Sequence, residues 1–279
     1  MVNFDYKQVY AISKKEFLDN IRNKWILVLT ILFVILPLLF SLAFSGSDQI
    51  FGSMDNTILA LLSISSLLIP FIAIILGYST ISGEDESGAL SVVLSYPVRR
   101  VELLFGKILG LGSVLIFSIF IGFGISGVII TLSTGDASWE PFIAFIYYNI
   151  ALGFVFLTGS IFISALCKSR TRSIGGAILL YFFAPIAGMV LIAVGAGMGY
   201  KITEFELPPW LLDWQVPLSP PDLVQTAVPV AYGTRIMEYQ GMVFSIPEYM
   251  NHAYFVMVQF AWISIFVILG YLFLRKRQI

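Results

Sequence analysis

The chain of 279 residues carries few side chains able to do chemistry, and they cluster. The densest group reads Gly83-Glu84-Asp85-Glu86-Ser87-Gly88-Ala89-Leu90, three successive acids after a turn glycine. A short run follows with Leu90, Val93 and Leu94 on one side, then Pro97, the basic pair Arg99-Arg100, and Gly106-Lys107. Acids at a helix start complement its dipole, so a well-capped surface helix is one reading. An apolar-sided helix wedged between hydrophobic runs also fits a docking element for a partner. Neither is catalytic. The soft atoms Met237, Met242, Met250 and Met257 with His252, the only histidine, are of types that suit Cu(I). Their spacing makes no recognisable site, and methionine in an apolar protein is mostly packing, so no metal is expected. One cysteine, Cys167, allows neither an internal disulfide nor a cysteine-built metal site.

Catalytic motifs are missing as well. There is no H-E-x-x-H and no G-x-x-x-x-G-K-[ST], hence no zinc-protease helix and no nucleotide-binding P-loop. Gly122-Phe123-Gly124-Ile125-Ser126-Gly127 spells G-x-G-x-x-G, but inside an apolar run with no strand before it. Small residues for close helix packing explain it, as they do the pairs Gly106/Gly110 and Gly195/Gly199. The expectation is a chain without catalytic residues and without a cofactor of its own. Its net charge of −1 gives no field for nucleic acid.

The elements that hold these residues follow from composition. The chain is 58% hydrophobic and 12% charged, with a mean hydropathy of +0.90, too apolar for a soluble surface. Six runs have the roughly 20 apolar residues that a spanning helix needs: 25–44, 58–78, 108–132, 142–166, 174–198 and 254–274. Pro37, Pro70 and Pro185 inside them are tolerable where neighbouring helices satisfy freed carbonyls. The first run follows a polar stretch with Asp5, Glu16 and Asp19 and is too long for a signal core, so it reads as a span. The expected fold is an all-α membrane protein of six transmembrane helices.

Fourteen of the 16 basic residues precede span one, follow span six, or lie between spans two and three or four and five. The positive-inside rule puts those segments and both termini in the cytoplasm. The acids complement this, giving formal charges of +7 inside and −8 outside, with no ionisable residue left for the interior of any span. Ion-coupled carriers and proton pumps keep such groups in the membrane, so a secondary transporter is disfavoured, although carbonyls of broken helices could still bind Na⁺. Residues 6–24 form an amphipathic helix with Tyr6, Tyr10, Phe17 and Ile21 grouped on one face, an elbow on the inner leaflet. Residues 199–253 are too polar to span but carry Trp210, Trp214, Tyr232, Tyr239 and Tyr249, which suit a headgroup boundary. Asp222 after Pro220-Pro221 reads as a helix cap, with a contact to an outer partner as the alternative.

The segment 81–107 resembles the membrane subunits of ABC-2-type (type V exporter) ATP-binding cassette transporters. Their pattern is an acidic E-x-E-x-G-T-L stretch, a short leucine run, a proline, a basic residue and a G-K opening span three. Glu84, Glu86, Gly88, Leu90, Pro97, Arg99, Gly106 and Lys107 match it in spacing, while Ala89 stands in place of the threonine. Lys15-Glu16 and Arg22-Asn23-Lys24-Trp25 look like the family's elbow helix, and the resemblance covers nearly the whole of 1–279 as one transmembrane domain. Gly83-Glu84-Asp85-Glu86, Tyr96-Pro97, Pro209-Trp210-Leu211-Leu212 and Pro220-Pro221-Asp222 are most similar to permeases of the nitrous-oxide reductase maturation system.

The resemblance implies a plasma-membrane permease subunit in a dimer, homodimeric or heterodimeric, with ATP held by two separate ATPase subunits. Residues 84–95 would dock there, with Glu84, Asp85, Glu86, Gly88, Leu90, Pro97 and Arg99 as coupling residues and loop 167–173 as a second contact or a basic anchor. Residues 199–253 would cap the pathway as re-entrant or interfacial helices, with Trp210 and Asp222 facing the pathway or an extracytoplasmic accessory protein. Two alternatives stay open: a non-transporting mechanotransmitter in a copper/sulfur metalloenzyme maturation complex, and an ion-coupled carrier.

Overall fold

The computed structural model describes residues 5–43, 54–135, 139–200, 208–239 and 242–277, without the side chains of 54–56 and 236–244. Phe44, Asp48, Asp136, Lys201, Glu204 and Glu206, and the side chains of Asp55, Met237, Glu238 and Met242, lie outside the described residues.

The long helices are α1 (Tyr6–Arg22), α2 (Trp25–Ala43), α3 (Met54–Gly77), α6 (Arg100–Thr134), α7 (Trp139–Leu166), α8 (Arg170–Gly197) and α11 (His252–Lys276). Short helices α4 (Ser82–Glu86) and α5 (Ala89–Ser95) link α3 to α6, while α9 (Leu211–Leu218) and α10 (Pro220–Ala231) follow α8. Six helices are long and apolar enough to span, matching the six expected runs, so the all-α membrane fold holds. One addition is a small antiparallel hairpin of β1 (Ile236–Tyr239) and β2 (Met242–Ser245). Residues 100–107 extend α6 instead of forming loop: its 35 residues reach roughly 52 Å, against a ~30 Å hydrocarbon core. The helix therefore projects well past the membrane.

The pair α6–α7 is the axis. Helices α1 and α2 lie along α6, while α3, α10 and α11 lie along α7. Helix α7 is the most buried of the spans and α8 the least. Glycines set the close approaches on α6. A Cβ at Gly106 would sit 2.7 Å from Ile12 Cβ, and one at Gly110 2.8 Å from the Ser13 carbonyl oxygen, both on α1. Gly122 meets Phe33 of α2 and Gly127 meets Phe142 of α7, whereas Gly124 faces open space. The packing reading thus holds for Gly106/Gly110 and not for Gly199, while Gly195 is buried within α8. Gly199 lies beyond the end of α8 with φ +94°, a left-handed stop with no neighbour.

Between α1 and α2 the chain turns at Asn23-Lys24, with Lys24 at φ 58°, an uncommon value for a residue with a side chain. Val9 of α1 is buried, and of the expected apolar face Phe17 packs against Phe117 of α6 while Tyr6, Tyr10 and Ile21 are exposed. The basic residues of α1, α6, α8 and α11 gather at one end of the bundle, hereafter the basic end.

Helices α9 and α10 meet at Ser219, which ends the first and caps the second. This corner is deep. Trp262 Nε1, about ten residues into α11, donates to the Pro217 carbonyl at 2.9 Å. Gln225 Nε2 donates to Ser66 Oγ, near the middle of α3, at 3.0 Å, and Gly188 in α8 lies against Gln215. At 1.5 Å per residue the corner lies roughly 15 Å in from the end of α11, about half a bilayer core. The segment packs between the long helices.

The glycine contrast on α6 is testable by thermal unfolding in detergent. Gly110→Ala is expected to cost about 1–3 kcal/mol by pushing α1 away, whereas Gly124→Ala is expected to be neutral or stabilising by up to ~1 kcal/mol.

Candidate functional site

The expected coupling residues lie at the basic end, where α4 is the meeting point of five other elements. Its acids are not spread toward solvent. Lys107, immediately before the apolar run 108–132 in α6 and only 2% exposed, donates to Glu84 Oε1 at 2.7 Å and to Glu16 Oε1 of α1 at 2.8 Å. One ammonium thus bridges α1, α4 and α6. Lys15 adds a looser approach to Glu84 at 4.0 Å, exposed and worth little.

Asp85 takes a different partner. Arg277, 5% exposed, donates from Nη2 to Asp85 Oδ2 at 2.7 Å and to the Cys167 carbonyl at 2.8 Å. Its Nη1 donates to the carbonyls of Ser164 and Ala165. These are orphan carbonyls at the end of α7, so one guanidinium caps that helix, complements its dipole and pairs with α4. Glu86 accepts from the Arg170 backbone N–H at 2.9 Å, at the start of α8, and Arg170 Nη2 donates to the Gly83 carbonyl at 3.3 Å. The acidic triplet thus joins α1, α6, α7, α8 and the chain's C-terminal segment.

Hydroxyls finish the joint. Ser164 Oγ accepts from the N–H groups of Ile81 and Ser82 at 3.0 and 2.9 Å, capping α4 in place of a residue of its own. Ser173 of α8 donates to the Tyr78 carbonyl at the end of α3. In loop 167–173, Ser169 Oγ accepts from the Arg172 N–H and caps α8. Glu102 accepts from the N–H groups of Arg99 and Asp5, each at 2.8 Å, tying the starts of α6 and α1 together.

After α4, Gly88 adopts φ +75°, which reverses the chain and starts α5. Leu90 is fully buried and anchors α5 to the core, while Val92 and Tyr96 are exposed. Pro97 lies in a bend, where the Val98 N–H donates to the Tyr96 carbonyl at 2.7 Å, and Arg99 is extended before α6. The structure therefore brings Glu84, Asp85, Glu86 and Leu90 into one anchored joint and leaves the far face of α5 open. Glu16, Lys107, Ser164, Arg170 and Arg277 complete it. Sequence alone offered only their sign as a signal.

At the opposite end, Asp222 is not the cap of α10. Ser219 is, its Oγ accepting from the Asp222 N–H at 3.3 Å, because the two prolines occupy the first turn and move the aspartate inward. The Asp222 carboxylate accepts from Gln215 Nε2 at 3.0 Å. Asp222 is thus packed inside the bundle and not on an open outer loop, and Lys107 belongs to helix α6, immediately before the apolar run 108–132. Trp210 is half-buried at the start of α9. His252 Nδ1 lies 2.7 Å from the Tyr148 hydroxyl, Met250 is buried and Met257 is exposed.

A bundle of six helices long and apolar enough to span, a helical corner packed among them and a charge-locked helical joint at one end defines a polytopic membrane subunit. Residues 10–279 match the family described as ABC-2 family transporter protein, and the chain belongs to it. It is similar to the probable ABC transporter permease protein NosY of Stutzerimonas stutzeri, 34% identical over 224 residues, 77% of this chain and 79% of that one. The protein of the same description from Pseudomonas aeruginosa is 33% identical over 223 residues, with the same coverage.

Removing one member of a buried ion cluster strands the others. Lys107→Met leaves Glu16 and Glu84 facing each other and is expected to cost about 3–5 kcal/mol, read as a lower Tm in detergent. Adding Glu16→Gln and Glu84→Gln to it is expected to restore much of that loss.

Proposed function

We propose that this ABC transporter permease subunit converts ATP hydrolysis on a separate ATP-binding cassette ATPase into movement of its spans. The contact surface is the open face of α5, and the joint built on Glu84, Asp85 and Glu86 transmits the force. The observation that carries this reading is the contrast between the two faces of the α4–α5 unit: one is locked by charge to α1, α6, α7 and α8, the other exposes Val92 and Tyr96. A push on α5 therefore reaches four long helices at once. The acids act as the fastening of a lever, while the apolar face receives the partner.

The basic end faces the cytoplasm by the positive-inside rule, which places both termini and the ATPase on the same side of the plasma membrane. Catalysis belongs to the ATPase, and ATP binds there. A second permease copy completes the pathway. Family membership makes ATP the energy source, so ion coupling is not proposed.

A mechanotransmitter reading shares every part of this scheme except the cargo. What supports it is the α9–α10 corner, where Trp214 of α9 and Tyr249, which donates to Asp213 of α9 from the segment before α11, are exposed and an extracytoplasmic accessory protein would bind. Substrate flux in reconstituted vesicles separates the two. Export predicts ATP-dependent flux, and mechanotransmission predicts none with ATPase activity intact.

Substitutions on the two faces are expected to behave differently. Val92→Asp with Tyr96→Ala is expected to abolish co-purification with the ATPase and leave the Tm of the isolated permease unchanged. Glu84→Gln with Glu86→Gln is expected to keep ATPase association and membrane insertion but lose stimulation of ATPase turnover. Unchanged association in the first variant and unchanged stimulation in the second would remove the assignment.

A further inference from the structure

A groove of about 750 Å³ opens at the basic end between α5, the start of α6 and the last turn of α11. Arg99, Arg100 and Arg275 line it, with the side chains of Ser91, Ser95 and Tyr271. No carboxylate is among its lining residues. The nearest acid in sequence, Glu102, is already engaged by the N–H groups of Asp5 and Arg99. Elsewhere at this end the acids of α4 and α1 answer arginine and lysine within the protein, so a carboxylate-free set of three arginines stands apart.

Arg100 also serves the fold, because its Nη1 donates to the carbonyls of Leu274 and Arg275 and closes the end of α11. Two of its five N–H groups suffice for that at most, and the guanidinium charge stays in the groove. Arg99 and Arg275 make no ion pair among the described residues. Leu94 and Val98 give the groove an apolar side. The same turn of α11 that supplies Tyr271 and Arg275 also exposes Leu272 and Phe273, so the groove opens beside a surface that a membrane protein presents to acyl chains.

Guanidinium groups match phosphate through paired N–H donors, and basic pockets between span ends bind anionic lipid headgroups. We infer that this groove holds the phosphate of an anionic phospholipid, with Arg99 and Arg275 as its principal donors, Arg100 as fixed positive charge, and the apolar side against the glycerol and upper acyl region. The lipid sits against α5 on one side and α11 on the other. It therefore reinforces the joint at the point where α5 is least held by protein. The headgroup site does not rest on the coupling role proposed for α5; only its assignment to the inner leaflet rests on the orientation given above.

The test is lipid retention by native mass spectrometry of the full chain from nanodiscs of mixed phosphatidylcholine and phosphatidylglycerol. The wild type is expected to retain phosphatidylglycerol preferentially. Arg99→Gln with Arg275→Gln is expected to lower that preference about tenfold or more, since each arginine near an anionic surface contributes ~fivefold. Equal retention of the two lipids by the wild type would overturn the proposal. So would displacement of phosphatidylglycerol by inorganic phosphate alone, which would mark a free-anion site. Loss of ATPase co-purification with lipid preference unchanged would also overturn it, assigning the groove to the ATPase. Should the double variant fail to fold, a photoactivatable phosphatidylglycerol on the wild type decides: cross-linking at Tyr271 supports the site and its absence there overturns it.

Discussion

A single ammonium holds the working end of this protein together. Lys107 is almost wholly buried between Glu16 and Glu84, on a helix that enters the membrane a few residues later. Such a charge is tolerable only when paired and hydrogen-bonded, so its position dictates where α1 and α4 must lie. The glycines at 106 and 110 then become necessary, because they let α1 approach α6 closely enough for Glu16 to reach the lysine. Arg277 repeats the logic at the other side of α4, where one side chain closes α7 and fixes Asp85. Specificity rather than net stability is the stronger reason for such pairs, since an apolar replacement of similar volume often holds a fold as well. What apolar contacts would not supply is a joint that ties several helix ends to one short element in a single arrangement.

Much of this was legible in the sequence, and the rest was hidden for physical reasons. Apolar runs of spanning length located all six spanning helices, and Pro97 marked the end of α5. The G-x-x-x-G at 106 and 110 spoke for close packing, though not for which helix comes close. Charge counting told on which side of the membrane a residue lies, but not which residue it meets. Glu84 pairs with Lys107 nearby in the chain, yet Asp85 pairs with Arg277 across almost 200 positions. Nothing in Ser164 announces that it caps another helix. Residues 100–107 read as loop because of their charges, whereas those charges are satisfied inside the protein and the helix runs through them.

The other end taught the opposite lesson. Polarity and prolines in 199–253 left re-entrant and interfacial helices both open, and Pro217, Pro220 and Ser219 build a tight corner that packs between long helices. Trp262 and Ser66 supply the polar contacts that its backbone and Gln225 need at depth. Asp222 is carried inward with the corner and held by Gln215. The chain thus keeps its spans free of unpaired charge while placing one carboxylate among them, a distinction that a list of loops does not make.

The central claim is that α4 and α5 move as one body with the ends of α1, α6, α7 and α8. The most direct measurement is the pulsed EPR distance between spin labels at Ser91, exposed on α5 beside the Val92 face, and Lys14 on α1, with Cys167→Ser, in the permease bound to its ATPase. The account predicts one narrow distribution that is the same with and without ATP, and a broadened one when Lys107→Met is added. An ATP-dependent change of that distance in the otherwise unaltered protein would contradict it, because α5 would then be moving independently of the joint.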